Sequence, residues 1–246
     1  MDSGYYAAFS GLLARSQALD LAAGNLANAG TAGYRAEREY FRSAIVGPDA
    51  LHSQLSLTLN DFGVLGGTRL DLGQGAVIPT GKPLDLAVEG NGFFAIQTKQ
   101  GIRYTRDGRF ERAGDGTLTT QTGEPVLDAH YQAIRVPAGE AIVGVDGSVS
   151  VNGGIAGQIA VFDFGSGVQL TAEGGDRYAA PASLQPGIAT GHIHQGALES
   201  SNQDVIGGSI QLVLIQRQAE MMQKAVSIFS NDFDKPATDD LPRVQA

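Results

Sequence analysis

The sequence predicts an α+β fold. Its N- and C-terminal helices pair as an antiparallel coil, and between them lies an antiparallel β sandwich or barrel-like domain. Three observations predict this. Tyr5, Phe9, Leu12, Ser16, Leu19, Ala23 and Leu26 alternate spacings of four and three, the heptad spacing that keeps one stripe of a helix facing a partner helix. A second apolar helical stretch lies at the opposite end of the chain. Between the two, short alternating segments recur about every ten residues and are separated by glycine turns, the pattern of an antiparallel β domain.

The first helix has few charges, only Asp2, Arg15 and Asp20 before Gly30. A helix facing bulk water usually has a charged face, so small uncharged residues all round suit burial among neighbours. Asn28, Gly30 and Gly33 end it, since Asn and Gly suit the left-handed turn after a helix. The N-terminal assembly helix is therefore placed at 1–34. Residues 35–75 form a connector with one short strand, where Leu55, Leu57 and Leu59 alternate.

The central β domain spans 76–190. Leu84, Leu86 and Val88 alternate into the turn at Gly90-Asn-Gly92, and Phe93 to Gln97 follow as a strand. Later strands centre on Tyr104, Phe110, Leu118, Ile134–Val136, Ile142–Val145, Val149–Val151 and Ile159–Phe162. Asn91-Gly92, Asp107-Gly108, Asp115-Gly116 and Asp146-Gly147 supply the positive φ angles of tight turns. No long helices alternate with the strands, which excludes a parallel α/β sheet.

The second assembly helix is placed at 196–232. Ser200, Ser201 and Asn202 offer N-caps, and Asp204 complements the helix dipole. Its stripe is Ile210, Leu214, Met221, Ala225 and Ile228, interrupted by Gln218 and widened by Val213, Met222 and Phe229. Pro236 halts this helix, and 233–246 reads as a flexible tail. An apolar stripe exposed at both ends of a chain is an aggregation hazard unless it is an assembly surface. The termini therefore read as built to polymerise.

The chain has 246 residues, a net charge of −9 and no cysteine. The acidic balance argues against nucleic acid as a partner, because phosphate binding needs a basic patch. Without cysteine there is no disulfide, thiolate zinc site or thiol nucleophile. The sequence predicts no cleavable signal peptide and no integral membrane segment, since no apolar run reaches about 18 residues. No cofactor is called for.

Four stretches carry a family resemblance. Asn25-Leu-Ala-Asn-Ala-Gly-Thr-Ala-Gly-Tyr-Arg35 resembles the signature after the first helix of bacterial flagellar rod and hook proteins. Leu84-Asp-Leu-Ala-Val-Glu-Gly-Asn-Gly-Phe-Phe94 and Tyr104-Thr-Arg-Asp-Gly-Arg-Phe110 resemble that family's β-domain motifs, and Gly196-Ala-Leu-Glu-Ser-Ser-Asn202 resembles the opening of its C-terminal helix. The resemblance implies an axial structural subunit of the flagellar basal body. Its terminal helices would form the inner tube, with other rod subunits and further copies of itself as partners. It would be exported unfolded by the flagellar type III apparatus to the rod, which spans the periplasm. Length, the short middle region and the start Met-Asp-x-x-Tyr-Tyr are more similar to the proximal-rod member than to the distal-rod or hook members. Gln203-Asp-Val-Ile-Gly-Gly-Ser209 departs from the family pattern, and so does the polar stretch after Pro236.

The residues expected to form the assembly interface are Tyr5, Phe9, Leu12, Leu19, Asn25, Leu26 and Asn28 on the first helix and its exit, and Ile210, Leu214, Met221 and Ile228 on the second. Leu12, Leu19 and Leu26 are expected to pack on the second helix, within one chain or across subunits. Thr31 and Gly33 shape the helix exit. His192 and His194 would share one face of a strand, a spacing that can hold a metal, with Glu199 and Asp204 nearby in sequence; a solvated strand is the plainer reading. The alternative from another class is a carbohydrate-binding or hydrolytic β domain using Asp85, Glu89, Asp107 and Glu111. No catalytic residue is assigned.

Overall fold

A computed structural model describes residues 2–42, 64–165, 168–174, 176–189 and 191–239; side chains are described for 9–40, 66–165, 168–174, 176–189 and 191–228. The strand expected near Leu55–Leu59 and the end of the expected tail, 240–246, lie outside these residues. The chain divides into two compact units.

The first unit comprises the described parts of Met1–Leu26, Arg38–Thr68 and Val205–Ala246. It holds helix α1, Asp2–Ala27, and helix α2, Val205–Asp239. Strands β1 (Glu37–Arg42) and β2 (Val64–Leu70) pair with each other. Alanine and leucine dominate α1, and both are strong helix formers. After Ala27 the chain turns, with the Thr31 N–H donating to the Asn28 carbonyl at 3.0 Å and the Thr31 hydroxyl to the Asn28 side chain at 3.3 Å. Helix α2 extends past Pro236, where the sequence reading ends it.

The helices meet through small residues. Ala18, Ala22 and Ile215 form a buried cluster, with Leu19 and Leu212 packed against it. A Cβ on Gly11 would lie 3.6 Å from the Met222 sulfur. The buried face of α1 is thus Ala14, Ala18, Ala22 and Asn25, while Phe9 stays half exposed and Leu12, Leu19 and Leu26 partly so. Short side chains let two helix backbones approach closely, whereas leucines would hold them apart.

The second unit is the β domain with the segments leading into it, Ala27–Glu37 and Arg69–Asp204. Its strands are β3 (Val77–Pro79), β4 (Leu86–Glu89), β5 (Phe93–Thr98), β6 (Gly101–Thr105), β7 (Phe110–Arg112), β8 (Leu118–Thr120), β9 (Ala141–Val143), β10 (Ser148–Val151), β11 (Gly154–Gln158), β12 (Val161–Asp163), β13 (Thr171–Ala172), β14 (Arg177–Ala179), β15 (Gly187–Ile188), β16 (His192–Gln195) and β17 (Ala197–Glu199). Six of them form one sheet in the order β13-β14-β6-β5-β12-β15. A three-stranded sheet, β11-β10-β9, and the pairs β16-β4, β17-β3 and β7-β8 surround it. Every pairing among these strands is antiparallel.

Successive side chains of a strand point to opposite faces. On β5, Phe94 and Ile96 join one core with Leu86, Val88, Phe110 and Val149. Phe93 and Ala95 join a second core with Tyr104, Phe162, Phe164 and Tyr178. The central sheet is therefore covered on both faces, which explains why Phe93-Phe-Ala-Ile96 is apolar without alternation. The sheet is open, with β13 and β15 at its edges, so the barrel-like alternative does not hold.

The glycine turns divide. Gly92, Gly116 and Gly147 have positive φ, as expected of hairpin turns. Gly108 is absent from the positive-φ glycines and is needed for another reason: a Cβ there would sit 1.6 Å from the Leu86 carbonyl oxygen.

Candidate assembly surface and a buried clamp

Two features bear on function: a buried ionic clamp in the β unit and an apolar stripe on the helices.

The clamp joins the segment that follows α1 to the segment that precedes α2. Glu199, at the end of β17, is fully buried. Its Oε1 lies 2.6 Å from Arg35 Nη2 and its Oε2 lies 2.8 Å from Arg106 Nη1. The Gly75 N–H also donates to Oε1, at 2.8 Å. Arg106 is fixed further by donating to the Val88 and Gly90 carbonyls at 3.0 and 2.5 Å, and it lies over the Phe93 ring. Burial lowers the Arg106 guanidinium pKa, and Glu199 opposes that shift. Two arginines face one carboxylate, so the cluster carries an excess positive charge. Arg35 Nε and Nη1 and Arg106 Nε find no hydrogen-bond acceptor among the described residues.

Backbone bonds extend the clamp. The Gly33 N–H donates to the Glu199 carbonyl at 2.8 Å, and the Asn202 N–H to the Tyr34 carbonyl at 3.2 Å. The Ala36 N–H donates to Asn202 Oδ1 at 2.7 Å, while Asn202 Nδ2 donates to the Asp71 and Gly73 carbonyls. The Arg35 N–H donates to the Tyr178 hydroxyl at 2.8 Å. Gly33 has φ +70, and a Cβ on it would lie 2.2 Å from the Arg106 carbonyl carbon, so only glycine fits. The four stretches singled out in the sequence thus converge at one place: Gly33 to Arg35 from the first, Val88 to Gly90 from the second, Arg106 from the third, and Glu199 to Asn202 from the fourth. Sequence reasoning named these stretches without giving Arg35 or Arg106 a role, and weighed Glu199 only as a neighbour of the His192–His194 pair. The available signal was the single charged residue of the first and fourth stretches, Arg35 and Glu199; Arg106, beside Asp107 and Arg109, carried none.

The stripe lies in the helical unit. Gly208 and Ile215 are buried on α2, and Leu212, Gln218, Ala219, Met222, Ala225 and Val226 are partly sheltered. Within this set Gly208, Leu212, Ile215, Ala219, Met222 and Val226 alternate spacings of four and three. Ile210, Leu214, Met221 and Ile228 occupy the other side, roughly 150° round at 100° per residue, and each is more than half exposed. Within the chain Leu12 and Leu26 lie outside the buried helix–helix cluster, which uses Ala18 and Ala22 instead. Asn25 is buried, Asn28 sits in the turn after α1, and Tyr5 lies in α1 with its side chain outside the described part.

The other sequence candidates are engaged locally. His192 and His194 share β16, and His194 Nε2 contacts Glu89 Oε2 at 2.5 Å. Glu199 serves the clamp. Among the described residues no group of three His, Asp or Glu side chains is placed to hold a metal. The Asp107 carboxylate accepts from Arg109 Nε and Nη2 at 2.8 and 2.6 Å. Asp85 and Glu111 line a cleft of about 320 Å³ with Lys82, Arg109 and Arg112. No described helix is long and apolar enough to cross a membrane.

Residues 6–35, ending on the clamp arginine, match the family described as "Flagella basal body rod protein". Residues 87–153, from β4 through β10, match "Flagellar hook protein FlgE/F/G D1 domain". The chain is 34% identical over 227 residues to the flagellar basal-body rod protein FlgF of Caulobacter vibrioides, covering 91% of this chain and 92% of the relative. It is 31% identical to FlgF of Escherichia coli, covering 90% and 93%. It is 30% identical to the flagellar basal-body rod protein FlgG of Bacillus subtilis, covering 90% and 93%. With relatives at 30–34% identity matched over nearly their whole length, the chain belongs to the flagellar basal-body rod protein family, as a structural subunit of the rod.

Proposed function

We propose that this subunit builds the rod by pairing its two helices as an antiparallel coil and presenting their outer stripes to neighbouring subunits. The observation that carries this reading is the two-sided α2. One apolar side is sheltered beside α1, and the opposite side, Ile210, Leu214, Met221 and Ile228, is left in solvent. A Cβ on Gly11 would lie 3.6 Å from the Met222 sulfur, while Ala18 and Ala22 share a buried cluster with Ile215, so neighbours move down α2 as they move up α1, which supports the antiparallel sense. The half-exposed Phe9, with Leu12 and Leu26, gives α1 an outer apolar side to meet a neighbour's helix.

The subunit occupies the proximal rod, a position supported by relatives named FlgF. Its partners are other rod subunits, and the flagellar type III apparatus delivers it unfolded, as membership of the family supports. It works without catalysis: the Asp107 carboxylate of the hydrolase alternative is tied to Arg109.

A deletion strain complemented with single variants tests this. Wild type restores motility and intact basal bodies, and Leu214→Glu yields a folded subunit absent from them. A flagellum assembling normally in the deletion strain overturns the reading. Basal bodies arrested beyond the proximal segment transfer the subunit to the distal rod.

A further inference from the structure

We propose that the cleft beside β7 binds a small apolar amino acid, with the ligand's ammonium group inward on Asp85 and its carboxylate outward on Lys82. The cleft measures about 320 Å³ and is lined by residues of two paired segments, 82–85 ahead of β4 and 109–112 at β7. Asp85 bridges to Arg109 across them, and the Phe110 N–H donates to the Leu84 carbonyl at 3.4 Å. Small-molecule sites are clefts with mostly apolar walls and a few placed polar groups. Here Pro83, Leu84 and Phe110 supply the apolar wall.

Asp85 is the group that calls for a ligand. It lines the cleft and is only 6% exposed. Its backbone is engaged, the N–H donating to the Lys82 carbonyl at 3.1 Å and the carbonyl accepting from the Gly196 N–H at 2.8 Å. Its carboxylate accepts no hydrogen bond from any described residue. Arg109 feels the charge of Asp85, yet its Nε and Nη2 donate to Asp107 instead, at 2.8 and 2.6 Å. A buried carboxylate without a donor is costly, and a donor arriving through the cleft removes that cost.

The charges change sign with depth. Asp85, Arg109 and the Asp107 that holds Arg109 are sheltered wholly or in part, and together carry one negative charge. Lys82, Glu111 and Arg112 are exposed, and together carry one positive charge. A lone cation is repelled at this rim and a lone anion at the wall beneath it, whereas a molecule with an ammonium and a carboxylate close together matches both. Arg112 already donates to the Pro137 and Gly139 carbonyls at 2.9 and 3.4 Å. The Lys82 ammonium has no partner among the described residues, which leaves it for the ligand's carboxylate. The cleft lies wholly within the β unit, so the proposal is independent of how the helices assemble.

Amide NMR titration of the full-length subunit tests it, with leucine as the probe. Leucinamide lacks the carboxylate and isocaproate lacks the amine. Leucine is expected to shift the signals of Asp85 and Arg109 to Arg112 saturably, and each control to bind about tenfold more weakly for want of one charge-assisted contact. Asp85→Asn and Lys82→Met are each expected to weaken leucine by about the same factor. No saturable shift with leucine, or either control binding as tightly as leucine, overturns the proposal. So does a folded Asp85→Asn variant with full affinity. Should Asp85→Asn fail to fold, Lys82→Met on the exposed rim decides: full affinity there overturns the proposal, and weakened affinity supports it.

Discussion

Glu199 shows what a single buried charge does when its partners come from distant parts of the chain. Among the described residues it is the carboxylate paired with both Arg35 and Arg106, all three nearly or wholly buried. Removing one partner of a buried ion pair leaves an uncompensated charge, at a cost of about 3–5 kcal/mol. Glu199→Gln is accordingly expected to lose about that much unfolding free energy, measured as a fall in the urea midpoint at constant slope. Such a cluster is weak as a source of stability, because desolvating three charges offsets most of their attraction. Its contribution is specificity: only one register lets Gly33, Arg35, Glu199 and Asn202 all find their partners. Gly108 shows a second residue-level constraint. Gly108→Ala forces a methyl group against the Leu86 carbonyl and is expected to cost at least about 3 kcal/mol, whereas Gly114→Ala meets nothing within 4 Å and should stay within about 0.5 kcal/mol. Thermal unfolding of the two variants distinguishes them.

At the scale of elements, each helix has a sheltered side and an exposed side. The inner side of α1 is alanine, and enlarging it separates the helices. Ala18→Leu is expected to destabilise the pair by about 1–3 kcal/mol through overpacking, read as earlier loss of helical circular dichroism on heating. The outer side of α2 behaves oppositely. Ile210→Glu and Leu214→Glu place charge where the side chain is already more than half exposed, so monomer stability should change by less than about 0.5 kcal/mol. Polymerisation should nevertheless be abolished, because a charge would have to be desolvated in each helix–helix contact. Sedimentation at raised subunit concentration checks this. Monomers that assemble as well as wild type would show that another surface drives assembly.

At the scale of the molecule, the two units differ in how they are held together. The β unit has two cores on either face of its central sheet. Among the described residues the helical unit has one small cluster around Ala18, Ala22 and Ile215. Regions with few buried apolar contacts open first. Limited proteolysis of the soluble monomer should therefore cut α1 and α2 early and leave a resistant fragment from the β unit, whereas assembled rods should protect the helices. Equal resistance of helices and β unit in the monomer would mean that the helices are already fully packed within one chain.

The sequence by itself determined the order of helix, β domain and helix, because a heptad stripe, period-two alternation and glycine turns are local patterns written in neighbouring residues. It also determined the family, since four short stretches stand in order along the chain. Tertiary structure alone decided which side of each helix is inward. The leucine stripe and the alanine side of α1 both repeat at helical spacing, and within the chain Ala18 and Ala22 are the residues buried beside α2, with Leu19 packed against them. It alone decided what the motif residues do, because Arg35, Arg106 and Glu199 are separated by many tens of residues and meet only after β17 returns beside the segment that follows α1. It also reassigned Gly108 from a turn to a close approach. The physical reason is the same in each case: local spacing specifies what a segment can become, while burial depends on partners that a linear reading does not bring together.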